Sequence, residues 1–551
     1  MISMRDERVD LTIQSALAGL KSLSLCLQGL PVYYKFLLQS ENIVLQVAAM
    51  AALLELDALN FQLWPTLLSL AKHSAVRERA ILYFLNANEY EWAEKILAQR
   101  PSDDRQNLLD KFHSSQVRGD DAECAQLARA LFLAEGKFEW LGKAQKYQEA
   151  VGGWRLSIGS LVEAIMSLPS DPVGPFMLLD TLANANEYEL VEHVISVFQQ
   201  AGVYAMECAV FTAKSEIKKG LYRQALKSLP RNERSISSEA LLMAHWETSA
   251  QAHRGMKQFR EALQSYNKKN EVGVPKNIRA EDFYEGVLAR AALKIEAGGS
   301  DPQAAKYSMM VGFPRSGTTL LENALSAHPA IETFEETPAF ALMERYIHRL
   351  GRRSVSAEDV EQGREVYYQT IKRFHKKAGT AAFVDKMPIR SAHAVFLHKL
   401  LPEQKYIFSI RHPYDVVLSC LFQSFKPNIT MENFRTFGAA CRLYDFTMSQ
   451  WFSVFTLDHK QVQYVRYETL VNEFEDTMAG TCQFLGVNWD AKILQFAENA
   501  QFRPMRTPSY PKVRAGISLG VQSYWKDFDF MFTRKEAECL KKWVKHFGYD
   551  S

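Results

Sequence analysis

The stretch Val311–Thr319, Val-Gly-Phe-Pro-Arg-Ser-Gly-Thr-Thr, constrains this chain more than any other. It follows the mostly apolar run Tyr307–Met310 and opens the amphipathic stretch Leu320–Ala327, so strand, tight turn and helix start come in sequence. Gly312 and Gly317 let the backbone curl until successive N–H groups converge, and the new helix adds unpaired donors and the positive end of its dipole. Such a loop holds a phosphate. A loop that cradles a nucleoside triphosphate reads G-x-x-x-x-G-K-[ST], whereas Thr318 follows Gly317 here and the cation sits inside the loop at Arg315. The lysine that reaches a β- or γ-phosphate is missing, which counts against triphosphate chemistry.

Around this loop the chain is long enough for two or more domains: 551 residues, 47% apolar and 23% charged. A net charge of +2 gives no basic excess of the kind nucleic acid demands, so nucleic acid is not an expected partner. The seven cysteines are scattered and never in C-x-x-C spacing, which argues against a disulfide framework or a zinc site and for a reducing compartment. Gln14, Lys21 and Gln28 break the apolar character of the first forty residues, and the longest apolar run elsewhere, Val47–Leu54, is far short of the roughly 20 residues of a spanning helix. No signal peptide, no membrane span and a cytoplasmic location are the expectations.

Upstream of the loop, apolar residues at three- and four-residue intervals predict helices over Leu11–Leu27, Val32–Leu38 and Ile43–Leu56. Asn86-Ala-Asn-Glu-Tyr-Glu91 returns unchanged as Asn184–Glu189, a displacement of 98 residues and close to three units of roughly 33–34 residues. Related segments occur at Gly220–Ala225 and Met256–Ala262, where an aromatic is followed three residues later by alanine, as in Tyr147–Ala150. These read as degenerate tetratricopeptide-like hairpins whose stacked array offers a concave face to a protein partner, or else only supports the domain downstream. Glu271–Arg279 interrupts the period, and Gly298-Gly-Ser-Asp-Pro302 is a clear break. The expected domains are a helical repeat domain over 1–300 and an α/β domain over 301–551. In the latter, short β-rich runs at Tyr307–Gly312, Ala381–Val384, Lys405–Ile410 and Val462–Val465 alternate with helices, which predicts a central parallel sheet with ligands at the carboxyl ends of its strands.

Phe313–Thr319, followed by Leu-Leu-Glu-Asn-Ala-Leu-Ser-Ala-His-Pro and then Glu335-Glu336-Thr337, closely resembles the phosphosulfate-binding region of sulfotransferases. Within that superfamily the chain is most similar to protein-tyrosine sulfotransferases and to bacterial sulfotransferases fused to tetratricopeptide repeats, over about residues 306–530. The resemblance implies a P-loop sulfotransferase domain that uses 3′-phosphoadenosine 5′-phosphosulfate (PAPS) as co-substrate and no metal.

On that resemblance, Arg315, Ser316, Gly317, Thr318 and Thr319 bind the 5′-phosphate. Arg411 and Ser419, eight residues apart across a strand end and a helix start, take the 3′-phosphate. Tyr467, in Tyr467-Glu-Thr-Leu470, lies by the adenine or is an ordinary interfacial aromatic. Arg514, with Lys512 second, closes over the 3′-phosphate from a late loop. His412 and Tyr414 have no assigned role, and Asp415 favours a helix N-terminus through the dipole. Catalysis falls to Arg315, to Lys386 in Val-Asp-Lys-Met-Pro, and to Glu336 as base, 21 residues after Arg315, with Glu335 the fallback. A carboxylate of pKa about 4 is a weak base for a phenol of about 10, so the proton moves late. Pro338 stands where the tyrosine enzymes have an arginine that selects acidic peptides, which leaves the acceptor a peptide tyrosine, a saccharide or a small metabolite. A kinase and a non-catalytic nucleotide-binding scaffold are the competing readings, and a homodimer is the remaining partner expectation.

Overall fold

The computed structural model describes residues 38–39, 42–55, 63–86, 95–96, 108–109, 111–113, 115, 120–168, 170–236, 238–274, 278–349, 354–375, 377–425, 427–496 and 523–549. The chain divides into two compact units, Met1–Tyr147 with Ala341–Gly351, and Gln148–Phe340 with Arg352–Ser551. The first unit is helical, with helices at Ile43–Glu55, Trp64–Leu70, Ser74–Asn86 and Asp121–Glu135. The last of these is capped by the Asp120 carboxylate on the Glu123 N–H and stopped by a left-handed Gly136. The expected helix at 11–27 and the first copy of the repeated hexapeptide, beyond Asn86, lie outside the described residues.

The second unit opens with helices α1 (Trp154–Ser167), α2 (Val173–Asn184), α3 (Tyr188–Ala201), α4 (Ala205–Lys218), α5 (Tyr222–Ser228), α6 (Glu239–Gly255) and α7 (Phe259–Glu271). One bend recurs three times in them. Asn186, Gly220 and Lys257 are left-handed, with φ of 65°, 76° and 60°, each two residues ahead of the aromatic that opens the next helix, Tyr188, Tyr222 or Phe259. The N–H between them, on Glu187, Leu221 or Gln258, bonds back to the carbonyl of Leu182, Glu216 or His253, at 2.9 Å in every case. At the second bend the aromatic packs where a small residue leaves room: a Cβ added to Gly255 would fall 2.3 Å from the Tyr222 ring.

The rest of the unit is built on five parallel strands, β1 (Tyr307–Gly312), β2 (Ile331–Glu335), β3 (Ala382–Lys386), β4 (Lys405–Ile410) and β5 (Val462–Arg466), in the order β2-β3-β1-β4-β5. A separate two-residue parallel pair joins Lys294–Ile295 to Ser354–Val355. All six residues of β1 are buried, as the centre of a sheet covered on both faces requires. On one face Leu320, Leu321, Ala324 and Leu325 of α8 (Thr318–Ala327) pack on Met310, Ile331, Val384 and Ile407. On the other, Trp451 lies 4.7 Å from Phe408 and 5.3 Å from Tyr406, ring to ring. The break at Gly298–Pro302 is held from α9 (Ala357–Phe374), where Arg364 Nη1 donates to Gly299 O at 2.6 Å.

Candidate active site

Strand β1 ends at Gly312, and the chain turns through 313–317 into α8. Gly312 needs its missing side chain because a Cβ there would sit 2.7 Å from Ser409 O of β4, the neighbouring strand. Gly317 has φ 101°, and a Cβ would meet the Tyr467 ring at 2.4 Å. Between them Arg315 is held at φ 72°, a conformation that costs a residue with a side chain of order 1–3 kcal/mol and is retained where the surroundings dictate it.

What dictates it is α10 (Pro413–Phe422), the helix after β4. Arg315 Nε donates to Ser419 Oγ at 3.1 Å, Arg411 Nη1 approaches Arg315 O at 3.5 Å, and Cys420 Sγ donates to Pro314 O at 3.3 Å. Ser409 Oγ donates to Ser316 O at 2.8 Å. The Arg411 guanidinium lies 4.8 Å from the centre of the Tyr467 ring, which opens α12 (Tyr467–Asn472), the helix that follows α11 (Phe437–Phe452) and β5.

Two cations are thereby crowded together in a partly closed site. Burial, with a smaller contribution from Arg411, pushes the Arg315 guanidinium below its usual value. Ser316 Oγ and Arg411 Nε are buried without a hydrogen-bond partner among the described residues. Unpaired buried polar atoms beside a helix N-terminus suit an anion, which would satisfy them.

The ends of β2 and β3 form the other side. Glu335 and Lys386 are register partners, and Lys386 Nζ donates to Glu335 Oε1 at 2.7 Å with both side chains almost wholly buried. Glu336 turns out of the strand at φ 53°, its N–H bonds Lys386 O at 2.9 Å, and its carboxylate stands 3.9 Å from Lys386 Nζ with the side chain 45% exposed. The left-handed turn at Glu336 lets both glutamates approach one ammonium. Burial raises the Glu335 carboxyl above its usual value, against the pull of Lys386.

Several side chains to which the sequence assigned no catalytic or ligand-binding role hold the site in place. Asp385 accepts from Thr337 Oγ1 at 3.1 Å, from Tyr367 Oη at 3.1 Å and from Arg390, whose Nη2 also reaches Thr337 O at 3.2 Å. This buried network fixes the turn after Glu336. Glu468 receives the His412 N–H at 3.1 Å and Tyr549 Oη at 2.7 Å. Asp415 receives the Trp525 N–H at 3.0 Å, and the His412 ring stacks on Trp525 at 5.0 Å and 19°. Asp385 and Glu468 stand within the motifs that carry Lys386 and Tyr467; the signal for them was a carboxylate next to a candidate residue. Lys512 and Arg514 lie outside the described residues. Among the described residues no group of three His, Cys, Asp or Glu side chains is placed to hold a metal ion, and no helix is long and apolar enough to cross a membrane.

Residues 309–491 match the model of the Sulfotransferase family. The chain is 24% identical to protein-tyrosine sulfotransferase 2 of Gallus gallus over 256 residues, covering 43% of this chain and 63% of that protein. It is 25% identical to protein-tyrosine sulfotransferase A of Caenorhabditis elegans over 233 residues, covering 39% of this chain and 59% of that protein. It thus spans less than two thirds of the length of these curated relatives. A solved sulfotransferase domain from the Synechococcus PCC 7002 olefin synthase aligns with 44% of this chain and 99% of its own at 18% identity and a TM-score of 0.30.

Proposed function

The C-terminal half of this chain carries a sulfotransferase-family domain, and from that premise we propose that it transfers a sulfuryl group from PAPS to an acceptor hydroxyl. The observation that carries the reading is the convergence of Arg315, Ser419 and Arg411, with Ser316 Oγ and Arg411 Nε buried and unpartnered beside the N-terminus of α8. One cluster then accommodates both phosphates of the donor: the loop amides, Ser316, Thr318 and Thr319 at the 5′-phosphate, and Arg411 with Ser419 at the 3′-phosphate. Tyr467, fixed between Gly317 and Arg411, supplies a face for the adenine.

In the step itself the acceptor oxygen forms a bond to sulfur while the bond from sulfur to the phosphate oxygen breaks, and the electron pair leaves with 3′-phosphoadenosine 5′-phosphate. Glu336 takes the acceptor proton, because its carboxylate is half exposed at the site whereas Glu335 is locked on Lys386. Lys386 and Arg315 offset the charge on the sulfuryl and bridging oxygens. The proposed acceptor is the phenolic hydroxyl of a peptide tyrosine, on the strength of the relatives' names and of a glutamate base at the end of β2; Pro338 beside it requires a peptide selectivity different from theirs. The helical repeats are the proposed seat of a protein partner.

Calorimetric titration with 3′-phosphoadenosine 5′-phosphate in the absence of magnesium, alongside magnesium ATP, tests the donor. Tight binding of the first and none of the second is expected; the reverse pattern overturns the reading in favour of a kinase. A screen of peptide, saccharide and small hydroxyl acceptors with labelled donor tests the acceptor, and donor binding with no transfer to any of them overturns the enzyme in favour of a scaffold.

A further inference from the structure

The strand β4 and helix α10 bring Arg411 and Ser419 to the phosphate loop, yet the far end of α10 is not finished by its own sequence. Its last turn contains no basic residue, although the final carbonyls of a helix carry partial negative charge. The missing cation comes from α7, 153 positions earlier: Lys269, wholly buried, donates from Nζ to Phe422 O at 2.6 Å. Asn270 adds bonds from Nδ2 to Leu421 O at 3.0 Å and to Arg435 O at 3.2 Å. Arg435 returns bonds to Asn270 O at 2.7 Å, Val272 O at 3.0 Å and Gly273 O at 3.1 Å. The Tyr266 ring stacks on Phe422 at 4.1 Å and 15°.

A hairpin that needed only to adhere would use leucine or methionine at position 269, since taking an ammonium out of water is costly and the Glu247 carboxylate offsets that cost only in part. Burial pushes Lys269 down to about 8, so the charged form still prevails at neutral pH. A buried charge on a directional bond costs stability and gains position. The position at stake is that of Ser419, one turn before Phe422, and the same hairpin reaches the segment beyond it: Arg254 of α6 lies 4.7 Å from the Tyr524 ring, beside the Trp525 that is bonded to Asp415.

We propose that the α6–α7 hairpin is a built-in part of the donor site, with Lys269 and Asn270 as positioning residues that set α10 against the phosphate loop and so place Ser419 and Arg411 for the 3′-phosphate. The inference rests on the donor reading and deepens it: the last helical hairpin, apart from anything its neighbours bind, determines how well a 3′-phosphorylated nucleotide is told from one without that phosphate.

The experiment measures, on the full chain, dissociation constants for 3′-phosphoadenosine 5′-phosphate and for adenosine 5′-phosphate, together with the thermal midpoint. Variants are Lys269→Met, Asn270→Ala and, as a control, Tyr284→Phe, which removes a 2.9 Å bond to Asn433 without touching α10. The expected result is that Lys269→Met weakens the 3′-phosphorylated ligand by ~10-fold or more while the other ligand changes by less than ~3-fold, with Asn270→Ala smaller but in the same sense. Tyr284→Phe should leave the ratio of the two constants unchanged even where it lowers the midpoint. An unchanged ratio in both hairpin variants, or an equal fall in the control, overturns the proposal; should Lys269→Met fail to fold, Asn270→Ala decides it alone. Equal affinity of the unmodified protein for the two ligands would instead sink the donor reading itself.

Discussion

Arg315 and Ser419, separated by 104 positions in sequence, are joined by a hydrogen bond of 3.1 Å from Nε to Oγ. The serine accepts in that bond, so its own proton remains free to be donated to an arriving phosphate oxygen. Ser419→Ala should therefore remove both a ligand contact and the partner that orients Arg315. The expected cost is ~10- to 100-fold in the dissociation constant for 3′-phosphoadenosine 5′-phosphate, with the thermal midpoint almost unmoved, measured by calorimetry and by thermal unfolding.

Gly317→Ala asks how closely the loop is packed. The added methyl meets the Tyr467 ring at 2.4 Å and the backbone stays left-handed, so either the ring or the loop must move. Nucleotide affinity should fall by ~10-fold or more, and trimming the ring in Gly317→Ala/Tyr467→Ala should not restore it, because the adenine face goes with the ring. Unchanged affinity in the single variant would place the nucleotide elsewhere.

The two glutamates at the end of β2 separate by what each substitution disturbs. Glu336→Gln should lower kcat by ~10²- to 10⁴-fold while the donor dissociation constant and the thermal midpoint stay close to those of the unmodified protein. Glu335→Gln leaves the Lys386 ammonium buried without its counter-charge and should lower the midpoint as well as the rate. Full activity in Glu336→Gln with none in a folded Glu335→Gln would reverse the assignment of the base.

Asp415 gives a pH test. Burial, the leading cause, pushes its carboxyl up to about 6, against the pull of Arg411 and of the Trp525 N–H. Its folded-state pKa thus lies above that of the unfolded chain, at about 4, so within that window the folded chain holds the extra proton. Stability therefore falls as pH rises from about 4 to about 6 and is level above it, as far as this group is concerned. Asp415→Asn keeps an oxygen for the Trp525 N–H and removes the titration. By denaturant melts, the change in stability from pH 4 to pH 7 should be ~1–3 kcal/mol more negative in the unmodified protein than in the variant; equal changes would show that the carboxyl is not held out of water.

Much of the sheet was legible because its inner strands are written as apolar runs: Tyr307–Gly312 and Lys405–Ile410 appear with the expected bounds, and Ala382–Lys386 and Val462–Arg466 within two residues of them. Strand β2 was not, because Glu332, Thr333 and Glu335 look like a solvated segment. Thr333 is buried by donating to Glu322 of α8 at 2.6 Å and Glu335 by its bond to Lys386, and paired polar groups of this kind carry no apolar signature. The site divides the same way. Arg315, Arg411 and Ser419 were visible as residue types at telling intervals and are brought together; the bonds around them, from Thr337 and Tyr367 to Asp385, from His412 and Tyr549 to Glu468 and from Trp525 to Asp415, join residues far apart in sequence and obey no spacing. His412 and Tyr414, which no motif explains, pack on Trp525 and anchor the segment after the late loop.

The threefold bend at Asn186, Gly220 and Lys257 reproduces one backbone path whatever side chains surround it, so a hairpin can be spliced in or deleted between such points without retuning its neighbours. That freedom ends at Lys269 and Asn270, whose bonds to Leu421 and Phe422 tie the final hairpin to one particular partner surface. The array can thus lengthen or shorten at the bends upstream of α6, whereas its last hairpin is tied to the sheet it braces.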